Sequence, residues 1–285
     1  MRRPGPYGHP IQASSHAGER ITDEHKAVFA ADGVVKVTHA VSDAWVERVL
    51  EVADQQLREP GKWVSDTNPG ASENRLFTSR YRWEIDPVIG DFVFNSGMAQ
   101  MAAALMGSGT ARFYFDHLLI KEPRTANPTP WHQDIPYWPF LGKQICSAWV
   151  AMTPVTVAES SLEFVRGSHG WDAYYAPESF DGKKGFMAEF EGEKMPDVEA
   201  DRAAYDIIGF DVEPGDALFF SSWIIHGSPG NAGDHRRVAL STRWLGDDAV
   251  WYPHPGCDPI VSDDDTTSVA GDYPADDDKF PLVAA

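Results

Sequence analysis

The sequence predicts a mostly β chain, an antiparallel sandwich or barrel with helices on its N-terminal side. Two observations carry this. Helical signals are confined to residues before Gly107, and from residue 111 to 245 short apolar or β-branched runs alternate with turn signals such as Glu213-Pro214-Gly215-Asp216. With 285 residues, 42% of them hydrophobic, the chain is long enough for a sizeable core. There is no internal repeat.

Residues 1–20 are rich in Gly, Pro, Ser and His without any period, and are expected to be a mobile leader. Thr22 is a plausible N-cap with Asp23 and Glu24 in the first turn, so a helix runs to about residue 31 and stops at Gly33. Residues 34–37 are β-branched and alternate, as a short strand does. Ser42 caps a second helix over 43–57, with Trp45, Val49, Val52 and Ala53 on its apolar face. Residues 60–79 read as loop. Arg75, Arg80 and Arg82 are interleaved with Phe77, Tyr81 and Trp83, which suits either contact with a carboxylate ligand or ion pairing with surface acids. Asp86-Pro87 opens a third helix, expected over 88–106 and ending at Gly107.

Strands are expected over 111–122, 145–152, 162–165, 207–212, 217–221 and 237–245. The long excursion at 171–205 mixes aromatic and charged residues and is expected to be a lid or insertion. The domain scheme is therefore a leader (1–20), one domain (21–252, with a helical part 21–107 and a β core 111–245) and an acidic C-terminal tail (253–285). Aspartates crowd residues 247–278, and that run is expected to be solvated.

The formal charge of −19 argues against a broad nucleic-acid surface, which needs clustered Lys and Arg. No apolar run approaches a membrane span, and Arg2 and Arg3 are not followed by the apolar stretch of a secretory signal. Cys146 and Cys257 are the only cysteines, too few for a disulfide framework, so the chain is expected to be cytoplasmic. Cys146 lies in an apolar run and reads as a small buried hydrophobe.

The chemistry centres on Trp131-His132-Gln133-Asp134. In an extended segment, residues two apart share a face, so His132 and Asp134 can grip one metal ion. Alone such a pair is more often a surface pair or a hydrogen-bonded structural pair. His226 is the candidate second histidine, at a strand end before Gly227-Ser228-Pro229-Gly230-Asn231; by itself it fits a structural histidine too. Two histidines and one carboxylate would make the facial set of non-haem Fe(II) oxygenases. Arg237 follows on the next strand, where a guanidinium fork can bind the carboxylate of a 2-oxoacid, and Ser228 can add a hydroxyl donor.

At these residues the sequence resembles the phytanoyl-CoA dioxygenase family of Fe(II)/2-oxoglutarate oxygenases. The resemblance rests on His132-Gln133-Asp134-Ile135-Pro136-Tyr137-Trp138-Pro139-Phe140, Ala148-Trp149-Val150-Ala151-Met152, Gly167-Ser168-His169, His226-Gly227-Ser228 and Arg237, in that order over roughly residues 20–250. Ser160-Ser161 and Arg166 depart from the family, which often has a Gly pair and a Pro there. The resemblance implies a double-stranded β-helix (jelly roll, cupin-like). It implies His132, Asp134 and His226 as iron ligands, Arg237 and Ser228 on the distal carboxylate of 2-oxoglutarate, and Trp149 lining the cosubstrate site. It also implies Fe(II), 2-oxoglutarate and O2 as requirements and a small-molecule substrate. Asp134 is retained where related halogenases carry Gly or Ala, which points to hydroxylation or desaturation. Gln133, Tyr137, Trp138, Tyr114, His117 and Arg80 lie next to this site and are candidates for the substrate pocket, the alternative for the aromatics being core packing. A metal-binding jelly-roll sensor or a cupin-type isomerase would need no carboxylate anchor at Arg237 and Ser228.

Overall fold

The computed structural model describes residues 17–177 and 192–285. Four helices, α1 (Asp23–Asp32), α2 (Asp43–Arg58), α3 (Pro87–Asn95) and α4 (Met98–Met106), accompany fourteen strands among these residues. The strands are β1 (Val34–Val37), β2 (Val64–Asp66), β3 (Leu76–Arg80), β4 (Ala111–Lys121), β5 (Thr129–His132), β6 (Phe140–Leu141) and β7 (Ile145–Ala151). They continue with β8 (Glu163–Val165), β9 (Ile207–Gly209), β10 (Ala217–Ser221), β11 (His226–Ser228), β12 (Arg237–Leu245), β13 (Val250–Trp251) and β14 (Leu282–Ala284).

A large sheet runs β1-β10-β7-β12-β4-β3-β2, with β14 also paired to β4, and a smaller sheet runs β5-β11-β8-β9. Every strand pair is antiparallel. The outer face of the large sheet, with Val150, Leu240, Leu118 and Phe219, packs on the helices through Trp45, Val49, Phe92 and Met101. Its inner face, with Trp149, Ala151, Leu218, Phe220 and Ala239, packs on Phe164 and Ile224 from the small-sheet side. Burial on both faces explains why β7 and β12 are buried at every residue and read as continuous apolar runs. The two facing sheets are those of a double-stranded β-helix.

The helix boundaries follow their caps. Thr22 accepts a hydrogen bond from the His25 backbone N–H, the His25 ring accepts one from the Thr22 N–H, and Gly33 closes α1 in the left-handed region at φ 81°. The single helix expected over 88–106 is two. Gly97 at φ 87° breaks it, and Ala17 lies where a side chain on Gly97 would be, 2.5 Å from an ideal Cβ. Ala17 belongs to a 3-10 turn, Ala17–Arg20, so the end of the expected leader is packed against α4; residues 1–16 of that leader lie outside the described residues. Residues 60–79 contain β2 and β3 rather than loop alone, because they complete the β4 edge of the large sheet. Residues 178–191 of the expected lid lie outside the described residues.

The C-terminal segment is not a solvated tail. Val261, Phe280 and Ala284 are buried, β14 pairs with β4, and the acids are put to use. Asp258 pairs with Arg80 at 2.7 Å, Asp277 with Arg112 at 2.6 Å, and Asp276 accepts bonds from the Thr267, Asp278 and Lys279 backbone N–H groups. The apolar residues scattered among the aspartates anchor the segment over the Phe140 and Trp251 cluster. The domain therefore extends past residue 252 to the C-terminal strand.

Candidate metal centre

His132 ends β5 and His226 opens β11, and the two are register partners across the small sheet. Asp134 is not in the strand. At φ −75°, ψ −39° it has turned into the start of a 3-10 helix, Ile135–Tyr137, so the turn and not strand alternation aims its carboxylate back at His132. The Asp134 and Ile135 N–H groups both donate to Ser222 O at 3.0 Å, which ties this turn to the β10–β11 connection that delivers His226.

His132 Nε2 and His226 Nε2 lie 3.6 and 3.9 Å from Asp134 Oδ1, and one ligand atom from each residue lies within 4.8 Å of the others. All three residues are buried. His132 Nδ1 is 2.8 Å from Pro130 O and His226 Nδ1 is 3.1 Å from Ile224 O. A carbonyl only accepts, so each Nδ1 carries the proton and each Nε2 is the ligand atom. Ser147 on β7 donates to Asp134 Oδ2 at 2.8 Å, leaving Oδ1 on the histidine side. Burial, then the neighbouring His132, pushes His226 down to about 3, so it is neutral at ordinary pH. Burial alone would raise the Asp134 carboxyl, but the facing His132 ring, with His226 and Arg243 nearby, holds it below the usual carboxylate range. Two imidazole nitrogens and one carboxylate oxygen fit Fe(II) and leave the rest of its coordination sphere to ligands.

Toward the far end of the inner face lie Arg237, Ser228 and Trp149. Arg237 is 2% exposed, its guanidinium stands 5.5 Å from the Trp149 ring centre, and burial lowers it to about 10. Its Nε has no hydrogen-bond partner, and no carboxylate pairs with it among the described residues. Lys121, its register partner on β4, donates to Ser228 Oγ at 2.9 Å. Trp149 Nε1 is likewise buried and unpartnered.

The expected pocket residues divide. Arg80 and His117 are register partners on β3 and β4, half-buried on the inner face, and His117 Nε2 has no partner. Tyr137 stands edge-on to the His132 ring at 5.8 Å. With Trp131, Tyr175 and Met195 it walls a narrow cleft beside His132. Tyr114 and Trp138 are core residues instead. Tyr114 is 1% exposed with its hydroxyl 3.1 Å from Tyr81, and Trp138 packs on Tyr114 and Phe115. Gln133 borders the cleft, but its amide is committed to Ala173 O, Trp223 O and the Tyr175 N–H, because a buried amide must be satisfied. Arg75 makes a two-bond pair with Asp66, and Arg80 pairs with Asp258.

Three residues absent from the sequence reading join the site: Ser147, Lys121 and Arg243. Each shares a strand face with a residue that was noticed. Ser147 is two before Trp149, Lys121 four after His117, and Arg243 six after Arg237, so strand periodicity could have found them. Arg243 is buried, lies opposite Ser147 and stacks at 4.5 Å on Phe115.

Comparison with known proteins agrees with this geometry. The family model described as phytanoyl-CoA dioxygenase (PhyH) matches residues 29–239. A probable phytanoyl-CoA dioxygenase of Caenorhabditis elegans is 25% identical over 252 residues, 82% of this chain and 78% of that protein. The carbocyclase SnoK of nogalamycin biosynthesis, described as non-haem and α-ketoglutarate dependent, superposes with a TM-score of 0.72 at 23% identity, covering 97% of this chain and all of that one. The epimerase SnoN, solved with Fe3+, α-ketoglutarate and nogalamycin RO, gives 0.69 at 21% identity over 92% of this chain and 98% of its own. These structures share the fold. The family match spans most of the chain and every candidate ligand, and on it the chain belongs to the phytanoyl-CoA dioxygenase family and is an iron- and 2-oxoglutarate-dependent oxygenase.

Proposed function

We propose that the protein hydroxylates a small organic substrate, releasing succinate and CO2, with His132, Asp134 and His226 holding Fe(II). Bound Fe(II), with 2-oxoglutarate and O2, supplies the oxidising chemistry. The chain's own residues supply position. The backbone carbonyls of Pro130 and Ile224 fix the two imidazoles, and Ser147 fixes the carboxylate. Arg237 and Ser228 receive the distal carboxylate of 2-oxoglutarate, with Trp149 as the wall beside it. Substrate approaches past Tyr137, His117 and Arg80.

The observation that carries this reading is the buried Arg237 guanidinium with no carboxylate partner among the described residues. A buried cation is expensive unless an anion completes it, and a metal-binding module or an isomerase would have no use for one here. Asp134 favours hydroxylation, since the carboxylate occupies the place a halide would need. SnoK and SnoN are a carbocyclase and an epimerase, so the outcome is read from the product: gain of one oxygen for hydroxylation, loss of two hydrogens for desaturation or ring closure, unchanged mass for epimerisation. No helix among the described residues is long and apolar enough to cross a membrane. On its two free cysteines, Cys146 and Cys257, we place the enzyme in the cytoplasm.

The test is anaerobic titration of the apoprotein with Fe(II) and then 2-oxoglutarate, following the visible charge-transfer band of a 2-oxoacid on iron. The band should form in the wild type and be lost in Arg237→Ala at the same 2-oxoglutarate concentration. Iron binding with no band in the wild type would sink the reading.

A further inference from the structure

Lys121 is the residue whose position the proposed chemistry does not yet use. It is 1% exposed and is the last residue of β4. Its ammonium donates to Ser228 Oγ at 2.9 Å and to Pro229 O at 2.6 Å. An ammonium has three donors, so one remains. Directly across the β4–β12 ladder stands Arg237. The only charge that acts noticeably on Lys121 is that second cation, which disfavours its protonated form as burial does. The neighbouring acid, Glu122, is committed to Arg236 at 2.9 to 3.1 Å. Two like charges thus sit side by side, buried, with no anion among the described residues.

Such a pair is unfavourable in the empty protein and becomes favourable when an anion enters. The wall beyond it suits the rest of a 2-oxo diacid. From Lys121 the inward positions of β4 are Leu119 and His117, and from Arg237 those of β12 are Ala239 and Ser241, with Leu119 and Ala239 in register. An apolar band therefore separates the two cations from the polar end at the metal centre.

We infer that Lys121 is a second anchor for the distal carboxylate of 2-oxoglutarate, so that this end of the cosubstrate is held by a Lys–Arg pair bridged by Ser228. The inference rests on the oxygenase reading above. It makes cosubstrate choice a matter of two charges. A 2-oxoacid without the distal carboxylate leaves both cations uncompensated and is rejected more strongly than by Arg237 alone.

The experiment compares anaerobic, Fe(II)-loaded wild type, Lys121→Met and Lys121→Gln, titrated with 2-oxoglutarate and with 2-oxobutyrate, which lacks the distal carboxylate. Affinity is read from the visible band. Met removes charge and donors together, whereas Gln keeps donors for Ser228 and Pro229, so one variant serves if the other misfolds. Both should weaken 2-oxoglutarate by roughly ten- to a hundredfold while 2-oxobutyrate stays the same or binds more tightly. The loss should persist in a Ser228→Ala background. Affinity for 2-oxoglutarate within twofold of wild type overturns the inference, as does equal weakening of both 2-oxoacids. A loss that vanishes in Ser228→Ala makes Lys121 a support for that hydroxyl and overturns it too. A wild type that binds iron but gives no band with either 2-oxoacid removes the oxygenase reading, and this inference with it. A band with 2-oxoglutarate that the Lys121 variants leave unchanged removes only the inference.

Discussion

Ser147 Oγ, on β7 of the large sheet, donates to Asp134 Oδ2 at 2.8 Å, so one carboxylate oxygen is spoken for and the other faces the two histidines. The bond fixes the carboxylate rotamer before any metal arrives. Ser147→Ala should lower Fe(II) affinity by about ten- to a hundredfold, the usual cost of losing an outer partner of a metal ligand. The fold should survive, since Ala fits wherever Ser does. Competition with a chromogenic chelator measures it, and unchanged affinity would mean that the turn at Asp134 orients the carboxylate unaided.

Gln133 sits between His132 and Asp134 in sequence but serves a different segment. Its amide reaches Ala173 O at 3.1 Å, Trp223 O at 2.8 Å and the Tyr175 N–H at 3.2 Å. Gln133→Ala should therefore release residues 171–177 from the metal centre, with buried groups left unpaired at a cost of about 1–3 kcal/mol. Amide exchange at Tyr175 should quicken while β7 stays protected. Equal protection at Tyr175 in both proteins would show that the segment is held by its other contacts.

The C-terminal segment is expected to behave as core. Phe280 is fully buried against Tyr114, Phe140 and Trp251, and Phe280→Ala should cost about 3–5 kcal/mol in urea unfolding. Leu282→Ala, on a residue 42% exposed, is the internal control and should cost well under half as much. Comparable losses at both positions would contradict the packing described.

What sequence could and could not disclose divides along range. The long strands β4, β7 and β12 declare themselves because both faces are buried, and the His132, Asp134, His226 and Arg237 positions stand out through their order and the family resemblance. The register that sets His132 opposite His226 joins strands of four and three residues from distant parts of the chain, and no local pattern encodes that pairing. Strands β2 and β3 hide in a Pro-, Gly- and Asn-rich stretch for the same reason, since β4 makes them strands. The acidic tail misleads by composition. Its aspartates outnumber Val261 and Phe280, yet those two residues decide where it packs. Tyr114 and Trp138 are expected in the pocket but pack in the core cluster with Phe115 and Phe140, because their sequence neighbourhood does not tell which way a side chain faces.

Asp116 sets a pH dependence whose sign is fixed by burial. It lies fully buried on β4, and desolvation raises it from 3.8 to about 6, against the Arg82 and Trp83 N–H groups it accepts from at 3.0 and 2.9 Å. Between about pH 4 and pH 6 the folded protein therefore keeps a proton that the unfolded chain has released. Stability falls as pH rises through that window and stays lower above it, by on the order of 3 kcal/mol from this one group. Asp116→Asn cannot titrate, so unfolding free energy measured from pH 4 to 7 should fall in the wild type relative to the variant. If the difference runs the other way, the two backbone N–H bonds and Arg82 outweigh desolvation. Asp116 is then an ionised anchor for the Arg82–Trp83 turn, present at every pH above its unfolded value.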